Sequence, residues 1–508
     1  MTVAVSELQT RSAQPLAELP NNEAARRLAK WRQAFPGLDS LILSGSSPAS
    51  AMRRLGLTFW AAGQMAAAVE ALGESVELDP GDAAVWLDLG FARRACGETR
   101  EALAAFERAA ELAPRVARAW LAIGLAAKEL QLSVQAETAL EKAVALDGEL
   151  DDAAYALGLI CFETRRYAEA AHRWRPLGAK GHRAADLRLG LGQCQFFLGE
   201  FGEAAASLAA HLESAPGDVE IARRLALVRF LDGAIHGGPD AGWRAYQDAG
   251  GAEAAPAIAR AAVSLLSAYG YPTTALAVAQ AFLAADADDP VHSHHLAALA
   301  AEPRERAPAD YVAAYFDRFA ETFDEQLYGV LQYDGPRKLL DVVKATGAPM
   351  GRTLDLGCGT GVAGAMLRPR ATRLEGVDLS GKMLEKAGAR GVYDALAQGD
   401  MVAHLAARRG DLDLIFAADA VIYLGDLKEL VEAAAGALVP GGSFAMTLEI
   451  TAKAPYELTA SGRFAHSPRA LIAAAAPWFS LRASRRAFLR LEAHRRMYGA
   501  LIVLERRA

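Results

Sequence analysis

Asp355 is followed within six residues by Gly357, Gly359 and Gly361, in the run Leu354-Asp355-Leu356-Gly357-Cys358-Gly359-Thr360-Gly361. A carboxylate beside a glycine turn is equipment for holding a cofactor, because glycine adopts positive φ and lets the backbone approach a ligand without a Cβ in the way. Asp378 stands twenty-three residues further on, at the end of a second apolar run, where a carboxylate can accept both hydroxyls of a ribose. Asp419 closes the apolar run Asp413-Leu414-Ile415-Phe416-Ala417-Ala418, Glu449 comes near the end of Ser443–Ile450, and His466 follows in the next loop. Two carboxylates and an imidazole so placed suit a group transfer, in which the acceptor lone pair must be aligned and its proton removed. The histidine would take the proton while a carboxylate orients the acceptor or the imidazole, with Tyr423, at the start of the helix after the fourth strand, as a further lining candidate.

A scaffold for these side chains can be read around them. Arg352–Leu356 reads as a buried parallel strand with Thr360 opening the helix after it, and Arg373–Val377 as a second strand ending at Asp378. Asp413–Asp419 forms a fourth strand, with its carboxylate at the edge where open α/β sheets bind ligands. Val439-Pro440-Gly441-Gly442 turns into a fifth strand, and Leu481–Leu491 with Tyr498–Arg506 closes the chain as an antiparallel hairpin. Tyr311 to Leu327 reads as a helix with aromatic residues at near-helical spacing. The glycine turn leaves two cofactors open: Gly359-Thr360-Gly361-Val362-Ala363-Gly364 fits the dinucleotide pattern G-x-G-x-x-G, whereas Asp355 would disfavour a pyrophosphate.

The front half follows another rule. From Ala49 a 34-residue self-similarity runs through blocks starting near 49, 83, 117, 151 and 185, the tetratricopeptide period. Leu55-Gly56, Leu89-Gly90, Ile123-Gly124, Leu157-Gly158 and Leu191-Gly192 share one phase. Ala68, Ala102, Ala136, Ala170 and Ala204 share another, each followed four residues later by Leu72, Phe106, Leu140, Trp174 or Leu208. The reading divides the chain into a leader or helical cap (1–48, with an amphipathic piece from Asn22 to Phe35), five repeats (49–218), degenerate helical repeats (219–302), a linker (303–310) and an α/β domain (311–508).

Composition narrows the function. Of 508 residues, 52% are hydrophobic and 23% charged, with a formal net charge of -7, as expected of a soluble globular protein that does not seek nucleic acid. The local cluster Arg482, Arg485, Arg486, Arg490, Arg495 and Arg496 reads as a solvated strand face. Cys96, Cys161, Cys194 and Cys358 show no C-x-x-C spacing, and His292, His294 and His295 lack ligand-spaced partners, so no metal and no disulfide framework is expected. A reducing, cytoplasmic location fits. The start of the chain lacks a signal segment, and the alanine-rich run Ile258 to Ala285 is broken by Arg260, Gly270 and Pro272, so no membrane partner is expected.

With Asp355 ahead of its glycines, the turn resembles motif I of class I S-adenosylmethionine-dependent methyltransferases. Gly376-Val377-Asp378-Leu379-Ser380 with Met383-Leu384 resembles motif II, and Gly399-Asp400-Met401 the turn that meets the adenine amino group. Phe316, Asp317, Phe319 and Phe323 match the lid helix ahead of motif I. Ala417–Leu427 and Gly462–Ser467 narrow the resemblance to predicted methyltransferases with N-terminal tetratricopeptide repeats. It implies an all-α repeat superhelix followed by a Rossmann-like α/β domain, whose seven-stranded, mostly parallel sheet ends in an antiparallel hairpin. The implied cofactor is S-adenosylmethionine, held by Phe316, Phe323, Asp355, Gly357, Cys358, Gly359 and Gly361 on one side and by Asp378, Leu379, Met383, Asp400, Met401 and Asp419 on the other. Asp355 would face its cationic methionyl end. The repeats would recruit a protein or peptide acceptor on their concave face. A small-molecule acceptor with the array as scaffold, or a non-catalytic adaptor, are the other readings. No Asn-Pro-Pro-Tyr motif follows the fourth strand, which argues against adenine or glutamine N-methylation.

Overall fold

Short polar side chains set where two of the front helices begin, Ser47 and Asp82 capping Pro48–Ala61 and Ala83–Ala95. In the computed structural model, which describes residues 31, 33, 47–181, 186–286, 288–325, 333–453, 455–492 and 495–508, helix Pro48–Ala61 opens on a proline and is capped by the Ser47 side chain. Met65–Leu78 packs against it, and the same pairing recurs in Ala83–Ala95 with Thr99–Leu112, Ala117–Glu129 with Ser133–Leu146, and Asp151–Glu163 with Tyr167–Ala179. Leu187–Leu198 and Phe201–Ser214 follow. Apart from residues 31, 33, 47 and 48, the expected leader lies outside the described residues; the Trp31 ring stands 6.0 Å from that of Phe59.

The repeated glycine has a steric cause. A Cβ on Gly90 would stand 2.4 Å from the Phe106 ring, and one on Gly158 would stand 2.0 Å from Trp174 Nε1. The large residue of each second helix thus seats on the glycine of the first. The alanines at 68, 102, 136, 170 and 204 are all fully buried. Neighbouring repeats are also tied by polar contacts: Arg53 pairs with Asp88, and, at positions one repeat apart, Arg94 pairs with Glu129 and Lys128 with Glu163.

Packing groups the chain into two units, Met1–Leu198 with Ala206–Ser214, and Gly199–Ala205 with Ala215–Ala508. The second unit contains helices Val219–Gly237, Pro239–Asp248, Ala255–Ala268, Pro272–Phe282 and Pro290–Leu299 as well as the sheet. Ser267 Oγ donates to the Ala460 carbonyl at 2.8 Å and His294 Nε2 to the Gly462 carbonyl at 2.9 Å, so these helices grip a loop of the α/β domain.

Strands β1 (Arg352–Leu356), β2 (Arg373–Asp378), β3 (Ala395–Gln398), β4 (Leu412–Ala417) and β5 (Leu438–Ile450) are parallel, in the order β3-β2-β1-β4-β5. Short strands β6 (Tyr456–Leu458) and β7 (Phe464–His466) attach at the end of β5. The hairpin β8 (Phe479–Glu492) and β9 (Arg495–Arg506) adds on through antiparallel pairing of β9 with β5. The seven expected strands are therefore present, and β6 and β7 are additions too short to show a period in the sequence. Alternate residues of β4 serve opposite faces: Leu414 and Phe416 join a core with Leu339, Leu340 and Val503, while Ile415 and Ala417 join one with Leu430, Phe444 and Ile502.

Four local expectations are corrected. β5 starts at Leu438 and runs through the Val439–Gly442 stretch read as a turn. The helix after the glycine turn starts at Val362, with Gly361 rather than Thr360 at its N-cap. Tyr423 lies on a 3₁₀ turn, Val421–Tyr423, and not at a helix start. His466 belongs to β7 and not to a loop.

Candidate active site

The C-terminal ends of β1, β2 and β4 open into a cavity of about 180 Å³, lined from below by the glycine turn and from the side by the aromatic helix Ala309–Phe319. Gly359 has φ +53° and nothing within 4 Å of where a Cβ would be, so the turn leaves open room on the cavity wall. Asp378 fixes that turn: its Oδ2 accepts the Gly359 N–H at 2.9 Å and its Oδ1 the Ser380 N–H at 2.9 Å. Burial pushes the Asp378 carboxyl up, against the pull of these backbone donors. Asp355, 1% exposed, is pushed up to about 7 by burial, while a hydrogen bond from Tyr393 acts to lower it and Asp378 to raise it. A carboxylate poised at neutral pH and an open glycine wall fit a ligand with a cationic end and a ribose.

The aromatic helix and the residues just after it are fastened over this cradle by acidic side chains. Asp317 accepts from Ser380 Oγ and from the Lys382 N–H, Asp324 accepts from Thr360 Oγ1 at 2.6 Å and pairs with Arg390, and Glu321 pairs with Lys386. Phe316, Phe319 and Phe323 then line the cavity with Tyr315, Tyr333 and Tyr423. At the far end Asp400 and Met401 line it too. Asp400 caps helix Met401–Ala406 through the Val402 and Ala403 N–H groups, each at 3.0 Å, and pairs with Arg306.

Beyond β4 the wall changes character. Asp419 takes φ +53°, a conformation non-glycine residues rarely adopt, and is held there by Thr447, whose hydroxyl accepts its N–H at 2.8 Å and donates to its Oδ1 at 3.0 Å. Arg490 donates to Asp419 Oδ2 at 2.8 Å and also pairs with Glu449, which takes a second guanidinium, Arg463, at 2.8 Å. Burial pushes the Glu449 carboxyl up, but the two arginines outweigh it and hold the group below the ordinary carboxylate range. Arg463 and Arg490 both line the cavity.

The cavity wall therefore unites Phe316, Phe323, Asp355, Gly357, Cys358 and Gly359 with Asp378, Leu379, Asp400, Met401 and Asp419, and leaves out Gly361, Met383, Glu449 and His466. Gly361 faces the Tyr393 ring and Arg390, and the Met383 side chain is fully buried. Glu449 lies behind Arg490 and Arg463, bound to both. His466 points its Nε2–H at the Leu424 carbonyl, 2.8 Å away, and burial lowers its basicity. The expected convergence of Asp419, Glu449 and His466 on one acceptor is thus not formed on the cavity wall; only Asp419 reaches it. Arg490, read as part of a solvated face, is 5% exposed. No local signal in the sequence marks Arg490, Tyr393 or Tyr333: in a strand the leucines at 489 and 491 face away from residue 490.

Comparison with known proteins agrees with this architecture. A family model described as a methyltransferase domain matches residues 353–442, and models of the tetratricopeptide repeat match 59–127, 117–149, and 23–83, 134–174 and 155–219. Methyltransferase-like protein 27 of Homo sapiens is 39% identical over 87 residues, 16% of this chain and 35% of the relative. Ribosomal RNA small subunit methyltransferase C of Chromohalobacter salexigens is 34% identical over 134 residues, 24% of this chain and 39% of the relative. The chain thus spans little more than a third of the length of the curated relatives it matches. Among solved structures, the N-methyltransferase NodS from Bradyrhizobium japonicum WM9, in complex with S-adenosyl-L-homocysteine, covers 38% of this chain and 98% of its own at 18% identity and a TM-score of 0.33. This chain combines tetratricopeptide repeats with a C-terminal methyltransferase domain of the class I, S-adenosylmethionine-dependent kind.

Among the described residues no helix is long and apolar enough to cross a membrane, and no cluster of three or more histidine, cysteine or acidic residues is arranged to hold a metal ion.

Proposed function

We propose that this protein transfers a methyl group from S-adenosylmethionine to a protein or peptide recruited by its repeat array. The observation that carries the reading is the single cavity that joins Asp355, Gly359 and Asp378 to Asp419. The cofactor, when bound, supplies the electrophilic methyl, so the chain need only bind, orient and exclude water. In this reading Asp378 takes the ribose hydroxyls, Asp355 the cationic amino-acid end, and Asp400 and Met401 flank the adenine. Phe316, Phe319 and Phe323 shut out water. Asp419, held by Thr447 and Arg490, orients the acceptor at the remaining wall. The repeats support a protein acceptor because stacked hairpins present an extended surface suited to a peptide. Cys96, Cys161 and Cys358 are free thiols, which supports a cytoplasmic location.

Titration with S-adenosyl-L-homocysteine tests the cofactor half, and Asp378→Ala should weaken it by roughly 1.5 to 3 kcal/mol. Equal binding by both proteins would refute that assignment. Incubation with labelled cofactor and cell lysate tests the acceptor half, since label recovered only in small molecules would replace the protein acceptor with a metabolite.

A further inference from the structure

We propose that Tyr393 is a positioning residue for the cofactor: its hydroxyl, bound to Asp355 Oδ2 at 2.6 Å, sets the other carboxylate oxygen toward the cavity to receive the cofactor's ammonium group. The proposal rests on the methyl-transfer reading above. Tyr393 lies between β2 and β3, away from the glycine turn in sequence, yet the protein has cleared a slot for it at three glycines, two on the helix after the turn and its N-cap and one on β2. A Cβ at Gly364, in the helix after the turn, would stand 2.2 Å from the Tyr393 hydroxyl oxygen. One at Gly361 would stand 3.0 Å from the ring, and one at Gly376 on β2 would stand 3.1 Å from it. The second and third glycines of the G-x-G-x-x-G stretch therefore make room for a side chain of this protein, where the dinucleotide pattern would use them for helix packing and a pyrophosphate.

The electrostatics give the hydroxyl a task. Burial pushes Asp355 up to about 7, and Asp378, facing it from β2, adds to that; Tyr393 opposes both by donating to the ionised form. Cys358 in the turn and Tyr333 across the cavity are the other titratable groups that sense Asp355, and burial pushes both upward, so both stay neutral around pH 7. Without the hydroxyl the balance tips toward a protonated, uncharged Asp355 that has no attraction for an ammonium.

Calorimetric titration of S-adenosyl-L-homocysteine into the full chain across neutral pH tests this. Wild-type affinity is expected to fall as pH drops through about 7. Tyr393→Phe, which keeps the ring in its slot, should bind about tenfold more weakly near neutrality, with its midpoint moved to higher pH and the deficit shrinking in alkali. In an Asp355→Asn background the same change should do nothing. Wild-type affinity and midpoint in Tyr393→Phe, or an equal loss in the Asp355→Asn background, would overturn the proposal. Absence of binding by the wild type would instead remove the methyl-transfer reading, and this proposal with it.

Discussion

His294 donates its Nε2–H to the Gly462 carbonyl at 2.9 Å, joining the last of the helices that precede the α/β domain to the loop that carries Arg463. The imidazole is fully buried, its ring centroid is 4.0 Å from that of Tyr311, and its Nδ1 is buried without a hydrogen-bond partner. A bare Nδ1 in such a place keeps the ring neutral, and burial accordingly lowers its basicity. The bond makes a structural claim about where the catalytic unit begins.

A chain starting at Gly199 should keep the melting temperature of the α/β domain and its affinity for S-adenosyl-L-homocysteine, whereas one starting at Ala307 should lose both. His294→Ala alone should cost about 1 to 3 kcal/mol, the scale for a buried carbonyl left unpaired. Equal melting of the two truncated chains would show that the helices before Ala307 are dispensable to the fold.

Arg490 holds two acidic residues at once, so its removal should be severe. Arg490→Leu leaves Glu449 and Asp419 short of a counter-charge in a buried site and should cost about 3 to 5 kcal/mol in urea denaturation at pH 7.5. The pH dependence follows from the sign of the Glu449 shift. A carboxyl held below its unfolded value contributes stability that is present above the unfolded carboxylate range and is lost as pH falls through the lower, folded value. The deficit of Arg490→Leu should therefore be largest near neutrality and shrink in acid. A deficit independent of pH would assign the loss to packing.

In the repeats, two glycines predict opposite outcomes. Gly158→Ala drives a methyl into Trp174 and should destabilise the array by about 1 to 3 kcal/mol, less the gain in helix propensity. Gly73→Ala, inside helix Met65–Leu78 with nothing within 4 Å of the new Cβ, should stabilise it by roughly 0.5 to 1 kcal/mol. Thermal melts of the two variants that move the same way would refute the close-approach account of the repeated glycine.

Periodicity and punctuation were sufficient to read the repeats, four of the five parallel strands and the cofactor turn, because each is specified within a few tens of neighbouring residues; β3, Ala395–Gln398, is too short to show a period. The 34-residue phase is local, and so is Asp355 ahead of its glycines or Asp378 at the end of β2. What contiguous sequence could not supply is which distant side chains meet. Tyr393 reaches Asp355 only because three glycines, on β2 and on the helix after the glycine turn with its N-cap, vacate its path, and Arg490 bridges Asp419 and Glu449 only after β9 pairs with β5 and carries β8 with it. The same long-range pairing decided against His466: its place in β7 turns the imidazole to the Leu424 carbonyl, and strand-end position alone carries no information about that choice of partner. Residue types at short spacing thus determined the architecture and the cradle, whereas the charge balance around Asp355 and Asp419 was decided by burial and by partners tens of residues away.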